Sequence, residues 1–252
     1  MSDSRHFTVE LTSRDSFALP AYVALPKGRA RGAIVVLQEI FGVNSHIRNV
    51  ADAYAAEGFL AVAPAMFHRV KEGVELGYTA DDVTIGAALK AKVEALKSQQ
   101  ENLLVPLMME DVQAAVNYAG VVAGMNTQDT MVGRQGTRVG VVGYCWGGLL
   151  TWRAASLLSG ISAAVPYYGG GVTLGDEAAR HPQCPVLCHF ADQDKHITMP
   201  SVEAFKSAQK AVDVQVYAAD HGFNCDQRGS WNEPAAKLAF ERTLTFFGKH
   251  VG

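Results

Sequence analysis

The chain has 252 residues, of which 48% are hydrophobic and 19% charged, a balance that suits one domain with a large core. The formal net charge of −3, without a basic tract, argues against a nucleic-acid partner. No apolar run reaches the length of a membrane span, and the first residues lack the apolar segment of a signal peptide, so we expect a cytoplasmic protein without a membrane partner.

The first half of the chain predicts an edge hairpin followed by buried strands. Half-polar segments indicate the hairpin, and continuous apolar runs indicate the buried strands. The long segment 66–106 lies over the strand ends in this layout, so we expect it to shape a pocket. The predicted strands are 7–11, 17–25, 33–37 and 59–63, and the predicted helices are 48–58 and about 85–99.

The second half continues as apolar strands that alternate with helices. This alternation predicts an α/β fold, with a mostly parallel central sheet and helices on both faces, in a single domain over residues 1–252. Gly248 is expected to end the last helix. The predicted strands are 138–142, 163–165, 186–190 and 214–217, and the predicted helices are 108–119, 149–158 and 235–247.

The segment 143–148, Gly-Tyr-Cys-Trp-Gly-Gly, has the pattern of a nucleophile elbow with Cys145 as the nucleophile. Its glycines allow a sharp turn between a strand and a helix, and the helix N-terminus favours a thiolate. A buried cysteine in a glycine-rich turn would match the same letters. The predicted strand and helix on either side favour catalysis.

Position in the chain selects the partners of this thiol, because the order nucleophile, acid, base is expected in such a fold. His221 follows the last strand and is the candidate base. Asp194 and Asp192 both follow the preceding strand. We favour Asp194, because a position further into the loop reaches the histidine better, and Asp192 remains the competitor.

The loop after the first buried strand, residues 38–42, supplies further candidates. The backbone N–H groups of Ile40 and Trp146 are the expected oxyanion-hole donors. Glu39 would face the nucleophile pocket, where its charge opposes thiolate formation. The alternative is a solvent-facing glutamate paired with an arginine.

The remaining cysteines give no metal site. Cys184 and Cys188, in or beside a strand, are expected in the core, and with Cys225 they are expected to be free thiols. Zinc held by Cys184, Cys188 and His189 is disfavoured, because alternate strand residues point to opposite faces and no second ligand pair is evident.

Taken together, these motifs resemble the dienelactone hydrolase family. The resemblance runs from about residue 33 to 225, in order, and rests on the segments 38–42, 143–148, 167–169, the loop with Asp194, and 221–223. It implies an α/β-hydrolase fold with a Cys-His-Asp triad of Cys145, His221 and Asp194. It implies no metal and no organic cofactor.

The resemblance also implies a gate on the nucleophile and a substrate class. Glu39 would hold the resting Cys145 thiol protonated until an anionic substrate displaces it. The reference activity opens the enol-lactone ring of dienelactone to maleylacetate. Arginines bind the substrate carboxylate in that family, and Arg69 and Arg228 are the candidates here, although Arg228 is not in register. Phe41, Tyr168 and Phe223 are assigned to substrate binding.

The sequence therefore predicts a cofactor-free hydrolase of lactones or small esters, active as a monomer or small homo-oligomer. The enzyme alternative is a general carboxylesterase or thioesterase that does not require a substrate carboxylate. The non-enzyme alternative is a hydrolase-fold protein that binds a ligand without turnover, and the complete nucleophile, base and acid argue against it.

Overall fold

A computed structural model describes residues 5–97, 105–125 and 138–252, and its centre is an eight-stranded sheet. Continuous apolar runs form the central strands, which are buried on both faces. In chain order the strands are β1 (Arg5–Thr12), β2 (Ala18–Leu25), β3 (Ala33–Leu37), β4 (Leu60–Pro64), β5 (Val139–Tyr144), β6 (Ile161–Tyr167), β7 (Leu187–Ala191) and β8 (Asp213–Tyr217).

The spatial order of the strands is β1-β2-β4-β3-β5-β6-β7-β8. β1 and β2 pair antiparallel at one edge, which confirms the predicted hairpin. β2 also runs antiparallel to β4, and all pairs from β4 to β8 are parallel. The predicted α/β class with a mostly parallel sheet is confirmed.

Helices cover both faces of this sheet, and each face has its own core. Residues alternate along β3, so that Ile34 packs in one core and Val35 in the other. None of the helices in the described ranges is long and apolar enough to cross a bilayer. The helices are α1 (Ser45–Ala56), α2 (Ala80–Glu94), α3 (Leu107–Met125), α4 (Trp146–Leu157), α5 (Gly175–Ala178), α6 (Met199–Ala208) and α7 (Glu233–His250).

Two helices begin earlier than the apolar pattern predicts, because capping side chains lie ahead of the first apolar residues. The Asn44 side chain accepts a hydrogen bond from the Ile47 N–H at 3.3 Å, and α1 starts at Ser45. Thr79 and Asp82 form a capping box, so α2 starts at Ala80 and not near residue 85. The helix ends at Glu94, with Ala95 as its C-cap, so the prediction that it continues to about residue 99 is wrong over 95–97; residues 98 and 99 lie outside the described residues.

The prediction that Gly248 ends the last helix is wrong. α7 continues through it to His250, and its C-cap is Val251, whose N–H donates to the Phe247 carbonyl at 2.7 Å. Gly248 does not have the positive φ of a helix-ending glycine. The buried Phe247 and Val251 side chains hold the last turn against the core, which overrides the local preference of glycine.

Candidate active site

Cys145 is the single residue between the end of β5 and the start of α4. Its backbone has φ 53° and ψ −112°, a conformation that a non-glycine residue rarely adopts. Neighbouring glycines permit the turn: a Cβ atom at Gly147 would lie 2.2 Å from the Leu37 carbonyl oxygen, and one at Gly143 would lie 2.1 Å from that of Gly147. The strand–turn–helix context that the elbow motif predicts is therefore present.

The imidazole of His221 lies between Asp194 and Cys145. Its Nδ1 is 2.7 Å from Asp194 Oδ2. The other carboxylate oxygen of Asp194 accepts from the N–H groups of His196 at 2.8 Å and Ile197 at 3.2 Å. These bonds fix the buried carboxylate against the ring, whereas Asp192 is exposed.

The charges around this pair reinforce the arrangement. Burial lowers the pKa of His221, but the neighbouring Cys145 and the Asp194 carboxylate raise it by more, so that the pKa is about 10. Burial raises the pKa of Asp194, and its hydrogen bond to His221 and the charge of that ring lower it more. An imidazolium held between a sulfur and a carboxylate is the arrangement that a nucleophilic thiolate needs.

Tyr168 borders the ring of His221, with the two ring centroids 5.1 Å apart at an angle of 62°. It has a φ of 35°, and its backbone N–H donates to the His189 carbonyl at 2.7 Å. Its buried hydroxyl has no hydrogen-bond partner among the described residues. Burial raises the pKa of Tyr168 well above its ordinary value, so the hydroxyl stays protonated and able to donate.

Glu39 forms a buried ion pair with Arg228, with Glu39 Oε1 2.9 Å from Arg228 Nη1. Arg228 also lies over the Phe41 ring, 5.7 Å from its centroid, and its charge acts on Cys145. Gly222 makes room for it, since a Cβ there would lie 2.4 Å from the guanidinium. Among the described residues, Glu39 makes no hydrogen bond to Cys145.

The position of Glu39 agrees in part with each of the two alternatives from the sequence, a glutamate facing the nucleophile pocket and a solvent-facing glutamate paired with an arginine. The side chain is paired with an arginine, as the second alternative predicts, but it is buried beside the elbow and does not face solvent. Its second oxygen, Oε2, is buried and has no partner within the described ranges.

The backbone N–H groups of Ile40 and Trp146 lie after the carboxyl ends of β3 and β5 and are free to donate to a substrate oxygen. Neither donates a backbone hydrogen bond in the described turns and loops, and Trp146 opens α4, where the first N–H groups have no partner in the helix. α2 covers this loop: a Cβ at Gly86 would lie 2.2 Å from the Ile40 carbonyl oxygen. The segment 66–106 therefore contacts the loop that carries Ile40.

The Trp146 side chain packs against the same segment, 66–106. Its indole stacks on Phe67 with the ring centroids 5.0 Å apart, and its Nε1 donates to Glu94 Oε1 at 3.2 Å. This contact links the elbow directly to the end of α2.

The other substrate-binding candidates fall in different places. Phe223 is buried and packs against Tyr168, with centroids 5.3 Å apart. Arg69 donates four hydrogen bonds to Asp15 and Asp111, and no contact among the described residues joins it to Cys145 or Glu39. The structure therefore brings Arg228, and not Arg69, to the thiol.

Sequence analysis did not single out two residues beside Glu39. The Tyr78 ring lies 4.6 Å from that of Phe41, and its hydroxyl accepts from Asn44 Nδ2 at 3.0 Å. His46, in the first turn of α1, is buried near Glu39. No sequence signal marks Tyr78.

Zinc at Cys184, Cys188 and His189 has no support in the structure. Both ring nitrogens of His189 are occupied, Nδ1 by the Tyr217 hydroxyl at 2.8 Å and Nε2 by the Thr243 hydroxyl at 2.9 Å. Burial lowers the pKa of this histidine to about 3. It is a hydrogen-bonded core residue.

Comparison with known proteins gives a family match over nearly the whole chain. The model of the dienelactone hydrolase family matches residues 19–251. A protein of Salmonella typhi named "Putative carboxymethylenebutenolidase" is 33% identical over 251 residues, covering 93% of this chain and 84% of that protein. A protein of the same name from Escherichia coli K12 is 32% identical over 252 residues, covering 93% and 83%.

A solved structure has the same overall fold. The "Putative Dienelactone Hydrolase" from Klebsiella pneumoniae superposes with a TM-score of 0.77 at 28% identity, covering 98% of this chain and 100% of that one.

Proposed function

The chain belongs to the dienelactone hydrolase family and is a hydrolase, and on that premise we propose that it opens lactones or cleaves small esters through Cys145, His221 and Asp194. The observation that carries the proposal is the His221 ring, held by Asp194 at 2.7 Å and in contact with the Cys145 thiol. A nucleophile, a base and an orienting acid in this order are what acyl transfer requires.

In the first half-reaction the Cys145 thiolate attacks the carbonyl carbon of the substrate, and a C–S bond forms. The oxygen that becomes negative is stabilised by the N–H groups of Ile40 and Trp146, which have no competing backbone acceptor in the described loops. The ester C–O bond then breaks, and the His221 imidazolium gives its proton to the leaving oxygen.

In the second half-reaction water releases the acyl group. His221 takes a proton from the water molecule, the hydroxide attacks the thioester carbon, and the C–S bond breaks. Asp194 keeps Nδ1 of the ring protonated and stabilises the imidazolium at each step. The product is a carboxylic acid that loses its proton to solvent, and Cys145 is left as the thiolate beside the His221 imidazolium.

Arg228 supports a substrate that carries a carboxylate. Its charge lies near Cys145, only its Nη1 is bound by Glu39, and its Nε and Nη2 have no acceptor among the described residues. A guanidinium with two free donors matches a carboxylate. An enol-lactone with a carboxylate, such as dienelactone, fits this combination.

Glu39 acts in this proposal as the gate on the thiol. In the arrangement described above, Arg228 holds the Glu39 carboxylate, and His221 contacts Cys145. A substrate carboxylate that engages Arg228 competes with Glu39 for the guanidinium. In the resting enzyme the negative charge of Glu39 opposes the thiolate. Once the substrate carboxylate has displaced Glu39, His221 takes the proton of the Cys145 thiol, and the thiolate of the first half-reaction forms.

One observation favours the alternative, a general carboxylesterase or thioesterase. The Glu39–Arg228 pair is already neutral as a unit, and a neutral ester would leave it intact. Breaking a buried ion pair to admit a charged substrate has a cost that a neutral substrate avoids.

Hydrolysis of dienelactone and of p-nitrophenyl acetate by the wild type, Cys145→Ala and Arg228→Gln tests both readings. We expect Cys145→Ala to abolish both activities. Arg228→Gln should raise KM for the lactone by about 10- to 100-fold, the range of a lost charge-assisted hydrogen bond, and change KM for the acetate far less. The unpaired, buried Glu39 carboxylate should lower kcat for both substrates. The KM of Arg228→Lys for the lactone should lie between those of the wild type and Arg228→Gln.

An equal change in KM for both substrates in Arg228→Gln would favour the general esterase. Turnover that survives Cys145→Ala would refute the nucleophile, and with it the proposed mechanism.

A further inference from the structure

Three buried side chains form a cluster beside the Glu39–Arg228 pair. One ligand atom of each of Glu39, His46 and Cys225 lies within 4.8 Å of the other two. All three residues are buried, and they come from the β3 loop, the first turn of α1 and the loop after β8. The mechanism proposed above uses only Glu39.

Two atoms of this cluster lack the partners that buried polar atoms normally have. Glu39 Oε2 and His46 Nε2 are both buried, and neither makes a hydrogen bond within the described chain. Their residues are 0% and 3% exposed. Buried polar groups without partners carry a free-energy cost, so two of them facing one thiol call for an explanation.

The surroundings of His46 and Cys225 support both residues as metal ligands. His46 Nδ1 lies 3.3 Å from Asp226 Oδ1, so a proton on Nδ1 leaves the lone pair of Nε2 directed away from it. A carboxylate behind a histidine is the usual support of a zinc ligand. Cys225 lies beside the Tyr78 hydroxyl, which accepts a hydrogen bond from Asn44 Nδ2 at 3.0 Å.

We propose that Glu39, His46 and Cys225 form a binding site for one zinc-type divalent ion next to the nucleophile. The donor set of one carboxylate oxygen, one imidazole nitrogen and one thiolate sulfur is typical of zinc. Ligand atoms on a tetrahedral zinc lie about 3.5 Å apart, so a spacing of up to 4.8 Å must close by about 1.3 Å or less. A fourth position stays open for water.

A surface cleft reaches one member of this cluster, His46. The cleft has a volume of about 400 Å³ and is lined by His46 and Asp226, together with residues of α1 and α7. Asp226 is more than half exposed and carries a negative charge that attracts a cation.

Binding would also affect turnover, a consequence that rests on the proposed function. The ion would take Glu39 Oε2, while Oε1 pairs with Arg228. Glu39 would then be fixed and unable to leave Arg228 to a substrate carboxylate. We expect zinc to inhibit hydrolysis and a chelator to restore it.

The test measures metal binding directly, with cobalt as the spectroscopic probe and zinc as the competitor. Wild type should bind one equivalent of Co²⁺ and show a thiolate-to-cobalt charge-transfer band that zinc abolishes. His46→Gln and Cys225→Ser should lose the band. Asp226→Asn, an exposed change, should weaken binding by about 10- to 100-fold. Melting curves verify that each variant folds.

Two controls separate this site from other thiols. Cys184→Ser removes a half-buried cysteine elsewhere and should bind cobalt like wild type. Cys145→Ser removes the competing thiol beside His221 and should keep the band. A band lost in Cys145→Ser but kept in Cys225→Ser would overturn the proposal, as would failure of the wild type to bind the ion at all.

Since binding is read without turnover, these outcomes do not depend on the proposed reaction. Metal binding without inhibition would keep the site and count against the Glu39 gate. Inhibition of Cys225→Ser to the same extent as the wild type would refute this cluster as the inhibitory site.

Discussion

Asp194 and Asp192 have the same chemistry and differ in what their side chains contact. The Asp194 carboxylate accepts from His221 and from two backbone N–H groups, and its side chain is fully buried. Asp192 is exposed, and its backbone N–H donates to the Tyr217 carbonyl at 2.9 Å. At the residue scale, burial and partners distinguish two aspartates that chain order alone does not.

Asp194→Asn should reduce kcat by about 10³- to 10⁴-fold, because an amide at this position stabilises the wrong tautomer of His221. KM should change little, since the carboxylate does not touch the substrate. Asp192→Asn is the matched control and should retain activity close to the wild type. Steady-state ester hydrolysis by the three proteins measures this, and a large loss in Asp192→Asn would reassign the acid.

At the scale of elements, the elbow depends on backbone atoms that meet where β3, β5 and α4 converge. Gly147 lies against the Leu37 carbonyl, and Gly148 lies against that of Tyr167. A continuous apolar run predicted β3 at its observed bounds, whereas α4 begins at Trp146 and not at residue 149. The apolar pattern misses the first turn of α4 because two of its first three residues are glycines.

Gly147→Ala should therefore destabilise the fold by about 1–3 kcal/mol or more, because the new methyl group meets backbone that cannot move aside easily. The displaced elbow should also lower kcat. Gly170→Ala is the control: a Cβ there has no heavy atom within 4 Å, and its expected effect is within about 0.5 kcal/mol. Urea unfolding with an activity assay measures both, and equal stability of the two variants would contradict the close contact.

At the scale of the whole molecule, a cluster of charges joins the first hairpin to α3. Arg69 Nη1 lies 2.7 Å from Asp15 Oδ2, in the turn after β1, and its Nε lies 2.7 Å from Asp111 Oδ2, in α3. The Arg69 and Asp111 side chains are 7% and 1% exposed. Arg69, a sequence candidate for substrate binding, thus connects parts of the fold that are far apart in the chain.

Arg69→Met should destabilise the protein by about 3–5 kcal/mol, because it leaves two carboxylates without their cation, one of them deeply buried. The ratio of lactone to acetate hydrolysis by the remaining folded protein should not change. Arg48→Met breaks the exposed pair with Glu75 and should cost less than about 1 kcal/mol. A selective loss of activity toward charged substrates in Arg69→Met would return Arg69 to the substrate site.

Local pattern was sufficient for most of the architecture. Strand periodicity and apolar runs predicted the parallel sheet and the edge hairpin, and the glycines around Cys145 predicted the strand–turn–helix context. These features depend on neighbours in sequence, which is why they can be read there. Capping moved the starts of α1 and α2 outside that pattern, and core packing carried α7 past Gly248.

The sequence by itself thus determined the fold class, the elbow and the candidates for each role in the site. Only the tertiary structure decided which aspartate faces His221, and that Arg228 pairs with Glu39 while Arg69 does not. The reason is physical: Glu39 and Arg228 are 189 positions apart, and their pairing depends on how the loops after β3 and β8 pack at the carboxyl ends of the strands. Charge partners and buried clusters such as Glu39, His46 and Cys225 are products of packing, and no local pattern encodes them.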